Sequence, residues 1–185
     1  MSDPTPEAAQ VLDALSSESL ELAGKYLTFK LENEEFGVEI LKVREIMGLM
    51  DITVVPRTPP AIRGVINLRG KIIPVVDLRA KFAMATVEDT ELTCIIVVDV
   101  TTDDHTAQMG ILVDSVSEVL DIPDDQIEPT PQFGGDVNTK FILGMARIDN
   151  CVKILLNIED VLNSQEVLQM TQSATALPPA QSEAA

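Results

Sequence analysis

The chain contains a single histidine, His105, whose imidazole could bind a metal ion or exchange a proton. It ends the polar run Thr101-Thr102-Asp103-Asp104-His105, which follows a strongly apolar segment. Asp103 and His105 could clip a metal ion, but zinc sites use three or four protein ligands and the neighbouring residues supply no others. The favoured interpretation is a solvated hairpin loop, and the sequence predicts neither a metal nor any other cofactor.

The residue types used in active sites form no recognisable catalytic pattern. No serine or cysteine stands in a context that would activate it as a nucleophile, and Gly110 and Gly144 are isolated glycines rather than parts of a phosphate-binding loop. An acidic cluster around Pro123 comprises Asp121, Asp124, Asp125 and Glu128. The simplest interpretation is that these carboxylates form a solvated surface. A contact with a basic partner is the more specific alternative, and the sequence does not exclude a catalytic acid/base pair. We predict that the chain is not an enzyme.

Composition excludes two classes of function. A net charge of −17, with five Phe, one Tyr and no Trp, is unsuited to nucleic acid, which attracts clustered basic and aromatic side chains. The longest apolar run, Cys94 to Val98, is far shorter than the roughly 20 residues that cross a bilayer. The two cysteines, Cys94 and Cys151, lie in apolar segments and predict buried thiols without a disulfide. We therefore expect a cytoplasmic protein with no direct membrane insertion.

The elements that must position any site are mainly short strands. Residues 25–31 alternate between apolar and polar, a polar stretch follows, and Phe36, Val38 and Ile40 alternate again, which predicts a hairpin. Arg69-Gly70 and Asp149-Asn150 stand between further apolar runs and predict tight turns. Strands at this spacing suggest small closed sheets. A short helix is predicted over 158–168, with a mobile acidic tail over 1–23 and a disordered tail over 169–185.

An internal repeat organises the middle of the chain. Residues 37–46 match residues 110–119 at an offset of 73, and residues 62–78 match residues 142–158 at an offset of 80. Gly37, Glu45 and Pro56 recur as Gly110, Glu118 and Pro129 at the first offset, and Gly64 recurs as Gly144 at the second. These matches favour duplication over a chance match of amphipathic strands. Each unit is marginal by itself, so the two should pack together. We place a first barrel at 24–85 and a second at 86–162.

The motifs in both repeats together resemble the CheW family of chemotaxis coupling proteins. In the first repeat they are residues 36–46, FGVEILKVREI, and residues 58–79, TPPAIRGVINLRGKIIPVVDLR. In the second they are residues 110–120, GILVDSVSEVL, and residues 154–159, ILLNIE. The resemblance spans roughly residues 25–167 and is highly specific as a set.

The resemblance implies a mainly β fold of two tandem five-stranded barrels of the Src-homology-3-like type, packed across a hydrophobic junction. It also implies a non-catalytic adaptor that couples the cytoplasmic tips of transmembrane chemoreceptors to the regulatory domain of the histidine kinase CheA. Two alternatives stay open: a coupling protein of another chemosensory-type pathway, such as twitching motility or development, and, from a different class, a small-molecule-binding barrel or an undetected hydrolase.

Site residues follow from the same resemblance. The receptor tip would lie in a groove between the barrels that involves Val38, Ile40, Val43, Glu45, Ile46, Val113 and Val116. Arg69 would form an ion pair with Glu45 and so fix the shape of the groove. For Val38, Ile40 and Val113 the alternative is barrel core, because alternating apolar residues need no partner to explain them.

Charged residues are distributed unevenly along the chain, and this distribution suggests a further hypothesis. Residues 24–85 carry ten basic and seven acidic side chains, whereas residues 86–162 carry three and sixteen. One partner would then meet a basic barrel and another partner an acidic barrel. Arg63 and Lys71 are the predicted partner-facing basic cluster.

Overall fold

A computed structural model describes residues 23–101, 105–133 and 139–162 of the chain. Its strands are β1 Gly24–Leu31, β2 Glu34–Glu39, β3 Val43–Gly48, β4 Ile62–Leu68, β5 Lys71–Asp77, β6 Cys94–Thr101, β7 Thr106–Val113, β8 Ser115–Ile122, β9 Ile127–Glu128, β10 Ile142–Ile148 and β11 Cys151–Leu156. Its helices are α1 Leu78–Lys81 and α2 Ile158–Leu162, with 3-10 turns at Ile40–Lys42 and Asp124–Gln126. The mainly β prediction is confirmed. The predicted tails, and the helix beyond residue 162, lie outside the described residues.

The strands form two sheets, which we call barrel A and barrel B. Barrel A has the order β8-β1-β2-β11-β10-β9, and barrel B has the order β3-β6-β7-β5-β4. Most neighbours are antiparallel, but β2 pairs with β11 and β5 pairs with β7 in parallel. The predicted pair of Src-homology-3-like barrels is therefore present, and barrel A gains the two-residue strand β9 as a sixth member.

The predicted division of the chain at residue 85 is wrong. In the first repeat β1 and β2 belong to barrel A while β3, β4 and β5 belong to barrel B. The second repeat does the reverse, because β6 and β7 join barrel B while β8, β10 and β11 join barrel A. Each barrel is thus completed by strands from both repeats. This exchange joins the barrels covalently twice and lets their marginal cores support each other.

The repeat itself is reproduced in detail by the strand register. Val75 pairs with Gly110 in barrel B, and its counterpart Leu155 pairs with Gly37 in barrel A. In both hairpins the pairing register shifts just before the equivalent glycine, between Ile62 and Gly64 on β4 and between Ile142 and Gly144 on β10. The turn residues also agree: φ is 51° and 85° at 69 and 70, and 51° and 62° at 149 and 150. The duplication and both tight turns that the sequence predicted are confirmed.

Three apolar clusters hold the molecule together. The largest lies between the barrels and contains side chains from β1, β2, β4, β5, β6, β7, β11, α1 and α2, among them Phe29, Val38, Ile96, Val113 and Leu156. A stack of Phe29, Phe36, Phe82 and Phe141, with neighbouring ring centroids 5.4 to 5.9 Å apart, runs through this junction. Each barrel also has a smaller cluster of its own. The predicted hydrophobic junction is therefore the main core.

The exchange of strands changes how charge is distributed. Residues 40–113, which supply barrel B, carry eight basic and nine acidic side chains. Residues 24–39 and 114–162, which supply barrel A, carry five basic and fourteen acidic side chains. Barrel B is therefore nearly neutral and barrel A is strongly acidic. The hypothesis of a basic barrel fails because it rested on the contiguous division.

Cys94 is half-buried and Cys151 is exposed, so the prediction of a buried thiol is wrong for Cys151. This residue directly follows the 149–150 turn, and both residues at that end of β11, Cys151 and Val152, are exposed. Within the described part of the chain, no helix is long and apolar enough to cross a bilayer.

Candidate functional site

A bidentate ion pair between Glu45 and Arg69 marks one face of barrel B. Arg69 Nη1 donates to Glu45 Oε2 at 2.9 Å, and Nη2 donates to Oε1 at 2.8 Å. The predicted contact is therefore present. Because the Arg69 side chain is 74% exposed, the pair contributes only about 0 to 1 kcal/mol to stability. The main effect of the pair is to fix the positions of both side chains, because the guanidinium is held by two hydrogen bonds.

The chain positions this pair through a turn and a strand irregularity. Arg69 has positive φ at the tip of the β4–β5 hairpin, and the Gly70 N–H donates to Asn67 Oδ1 at 2.9 Å, which closes the turn. Glu45 lies on β3, where the register against β6 shifts between Val43 and Glu45. The two elements bring together side chains that are 24 residues apart in the chain.

Exposed apolar side chains accompany the ion pair on the same elements. Ile46 on β3 is 43% exposed and Ile72 on β5 is 57% exposed. The segment that follows β3 adds exposed residues, namely Leu49, Met50 and Val54. Exposed apolar residues on the same elements as a fixed charged pair are typical of a protein-binding region. We call Glu45, Arg69, Ile46 and Ile72, which all lie on β3 or the β4–β5 hairpin, the barrel B face.

The structure divides the seven predicted groove residues into two groups. Val38 and Val113 are 0% and 1% exposed in the inter-barrel core, so the prediction that they line a surface groove is wrong. Both lie near the end of a strand, just before the chain crosses to the other barrel, and their side chains belong to the inter-barrel cluster. Ile40, Val43 and Val116 are half-buried against the same core. With the exposed Ile46 and the half-buried Glu45, these three remain within reach of a partner.

Val43 and Val116 are equivalent positions of the repeat, at the offset of 73. Each lies near the start of the first strand after the chain passes from one barrel to the other, β3 in one case and β8 in the other. These half-buried groove residues therefore lie where the chain passes between the two barrels. Val43 is on the same strand, β3, as Glu45.

Arg63 and Lys71 do not form the predicted basic cluster. Lys71 pairs with Leu68, five residues along β4 from Arg63, which corresponds to about 17 Å. Arg63 Nη2 donates to Asp89 Oδ2 at 2.6 Å, and Nη1 lies 3.5 Å from Asp77 Oδ2. Two carboxylates thus neutralise Arg63, and only Lys71 at the exposed hairpin end offers its charge to a partner.

Sequence reasoning missed a second ion pair, between Arg79 and Asp114. Arg79 Nε donates to Asp114 Oδ1 at 2.7 Å, Nη2 contacts Oδ2, and Nη1 donates to the carbonyl of Ala85 at 3.0 Å. Asp114 Oδ2 also accepts from the backbone N–H of Glu32 in the β1–β2 turn, at 2.8 Å. The Asp114 carboxylate therefore ties α1 of barrel B to the first hairpin of barrel A.

The environment of Asp114 follows from these bonds. The guanidinium of Arg79 holds the pKa of the Asp114 carboxyl below its ordinary value of 3.8, and the Glu32 N–H acts in the same direction. The Arg79 side chain is 9% exposed, so the pair is largely shielded from water. Both residues stand in the recognised motifs, yet nothing in their spacing indicates that they meet.

Other candidate chemistry finds no support among the described residues. No group of three or more His, Cys, Asp or Glu in the part of the chain that the structure describes could hold a metal ion. His105 is exposed, and Asp103 lies outside the described residues. Two cavities, of about 170 and 140 Å³, are smaller than the roughly 300 Å³ typical of ligand pockets.

Comparison with known proteins decides the family. The model of the CheW-like domain matches residues 25–166. The chain belongs to the CheW family. It is 41% identical over 143 residues to the chemotaxis protein CheW of Klebsiella aerogenes, covering 77% of this chain and 84% of that one. It is 28% identical over 171 residues to the CheW of Treponema pallidum, covering 90% and 96%.

A solved structure supports the same assignment. The scaffolding protein TtCheW from Thermoanaerobacter tengcongensis superposes with a TM-score of 0.69 at 33% identity, covering 78% of this chain and 96% of that chain. CheW-family proteins are non-catalytic scaffold adaptors of chemotaxis, so this chain is not an enzyme. The match to the CheW-like domain includes strands of both barrels and every described residue from 25 to 162.

Proposed function

We propose that this chain couples the cytoplasmic tips of methyl-accepting chemoreceptors to the regulatory domain of the histidine kinase CheA. The observation that carries the proposal is the Glu45–Arg69 pair, which is exposed, fixed at two points and accompanied by the apolar side chains of the barrel B face. Exposed apolar residues on the elements that hold a rigid charged pair suit contact with the surface of a partner helix.

The coupling itself requires no chemistry in the adaptor. Binding two partners at once raises their effective concentration and fixes their relative orientation, so kinase output can follow receptor conformation. The protein would work in the cytoplasm and be recruited to membrane-associated receptor arrays through the receptor tips. The strongly acidic barrel A offers a surface of different charge for a second contact.

Charge exchange within the barrel B face tests the proposal. We expect Glu45→Arg and Arg69→Glu each to weaken binding of a purified receptor-tip fragment about tenfold or more, because like charges would face each other and spread the pair. The double variant, Glu45→Arg with Arg69→Glu, restores an opposite pair and should recover part of the affinity. Titration calorimetry at fixed salt measures all three.

The matched control is the Glu128–Arg147 pair of barrel A, which is exposed and joins Arg147 Nη2 to Glu128 Oε1 at 3.0 Å. Reversing the charge of Arg147 should leave receptor affinity unchanged. Equal affinity of the wild type and both single barrel B variants would refute a role for this face in receptor binding.

A further inference from the structure

Both barrels carry a β-bulge at the equivalent position of the repeat, and each bulge directly precedes a glutamate. On β3, Val43 pairs with Val98 and Glu45 pairs with Val97, so Arg44 is an extra residue in the ladder. An extra residue bends its strand and sets the direction of the side chains beside it. The bulge on β3 therefore sets the direction of Glu45, the acidic member of the barrel B face.

A single hydroxyl holds the bulge of barrel A. On β8, Glu118 pairs with Thr28, and Ser117, which corresponds to Arg44 at the offset of 73, is the extra residue. Thr28 Oγ1 donates to the carbonyl of Glu118 at 2.9 Å and accepts the N–H of Glu118 at 3.2 Å. Because Thr28 is fully buried, these two bonds fix the residue after the bulge without competition from water.

Barrel B holds its bulge with an ion pair instead. Val97 stands opposite Glu45, as Thr28 stands opposite the glutamate of barrel A, and valine has no hydroxyl. The extra residue itself supplies the bond, because Arg44 Nε donates to Asp99 Oδ2 on β6. The Asp99 side chain is only 13% exposed, so this carboxylate is held by its strand and largely shielded from water.

Residue type confines this kind of ion pair to barrel B. Ser117 stands at the position of Arg44. Lys30, two residues after the threonine on β1, stands at the position of Asp99, two residues after the valine on β6. Barrel A thus has neither the cation nor the carboxylate at these positions. Barrel B combines an ion pair at the bulge with a second ion pair at the residue that follows it.

We propose that the Arg44–Asp99 pair positions Glu45 for its bidentate contact with Arg69 by holding the β3 bulge in register. A slip of β3 by one residue would turn Glu45 toward the opposite face of the strand and break that contact. Arg44 and Asp99 are then positioning residues of the barrel B face, and their effect on receptor binding rests on the proposed function of that face.

Exchanging the anchor of one barrel for that of the other tests the proposal in the free chain. Arg44→Ser removes the ion pair, and Val97→Thr in the same chain adds the hydroxyl that barrel A uses. We expect Arg44→Ser to raise the hydrogen-exchange rates of the β3 amides about tenfold relative to those of β10, and Val97→Thr to return them to within about twofold of the wild type. Thr28→Val is the matched control, because it should raise exchange in β8 and leave β3 unchanged.

The guanidinium of Arg69 supplies a spectroscopic readout of the position of Glu45. Its two Nη groups give separate nitrogen resonances while two carboxylate oxygens hold them, and we expect these resonances to merge in Arg44→Ser and to separate again after Val97→Thr. Asp99→Asn should merge them too, although it leaves the exposed Arg44 guanidinium in place. This variant separates positioning from a direct contact between Arg44 and a partner.

Receptor affinity is measured in the same variants after circular dichroism shows that each is folded. Affinity for a receptor-tip fragment should fall about fivefold in Arg44→Ser and in Asp99→Asn, and it should recover when Val97→Thr is added to Arg44→Ser. Unchanged β3 exchange and unchanged Arg69 resonances in both single variants would overturn the proposal. Altered resonances with unchanged receptor affinity would support the positioning role and count against receptor binding by the barrel B face.

Discussion

Replacing Gly64 with alanine is expected to cost the fold about 3 kcal/mol or more of unfolding free energy. Gly64 has a φ of 149°, and a Cβ atom at this position would stand 2.2 Å from the carbonyl oxygen of Thr53. That carbonyl accepts the N–H of Val65 at 2.9 Å, and the Thr53 N–H donates back to the Val65 carbonyl at 2.9 Å. The clash is with backbone, so relief requires breaking this bridge.

Urea denaturation measures the effect, and Gly48→Ala is its matched control. A Cβ at Gly48 would meet no heavy atom within 4 Å, so this variant should stay within about 0.5 kcal/mol of the wild type. The contrast separates the clash from the general effect of adding a methyl group. If Gly64→Ala were as stable as Gly48→Ala, the described path of the segment beside β4 would be incorrect.

The second large effect is expected from Arg79→Ala, at about 3 to 5 kcal/mol of unfolding free energy. Its removal leaves the Asp114 carboxylate, itself only 26% exposed, without its guanidinium partner, and it leaves the Ala85 carbonyl without a donor. Arg147→Ala is the control, because the Arg147–Glu128 pair is 66% and 55% exposed and should contribute no more than about 1 kcal/mol.

The difference in unfolding free energy between the wild type and Arg79→Ala should become smaller at acidic pH. The pKa of Asp114 is lowered in the folded chain, mainly by the bonds from Arg79, so the pair's contribution is fully present above the ordinary carboxyl value of 3.8. It is lost as pH falls through the folded value, because the carboxyl is then protonated in both folded and unfolded chains. Unfolding free energies that differ equally at pH 7 and pH 3 would contradict this account of the pair.

Much of the fold is encoded locally and could be predicted from the sequence. The turns at 69–70 and 149–150 follow from Gly70, Asp149 and Asn150, residue types that tolerate positive φ, and the strands follow from alternation. The repeat was visible because glycine, proline and acidic residues keep their register in both copies. The Glu45–Arg69 contact came from the family resemblance rather than from spacing.

The remainder depends on which strands pair, and alternation does not encode this. A strand's pattern reports which face is buried but not the partner strand, so the exchange between repeats could not be predicted. The family resemblance predicts groove positions for Val38 and Val113, whereas the exchange places both in the inter-barrel core, as their alternation allows. The partners of Arg63 and Arg79, Asp89 and Asp114, come from segments 26 and 35 residues away and meet only once the barrels have formed.

The most direct test of the coupling proposal is sedimentation of the CheA regulatory domain with membranes that contain chemoreceptors, with and without this chain. We predict that the kinase domain sediments with the membranes only when the chain is present, and that Glu45→Arg lowers the amount retained while Arg147→Glu does not. Equal retention of the kinase domain in the presence and absence of the chain would contradict the proposal.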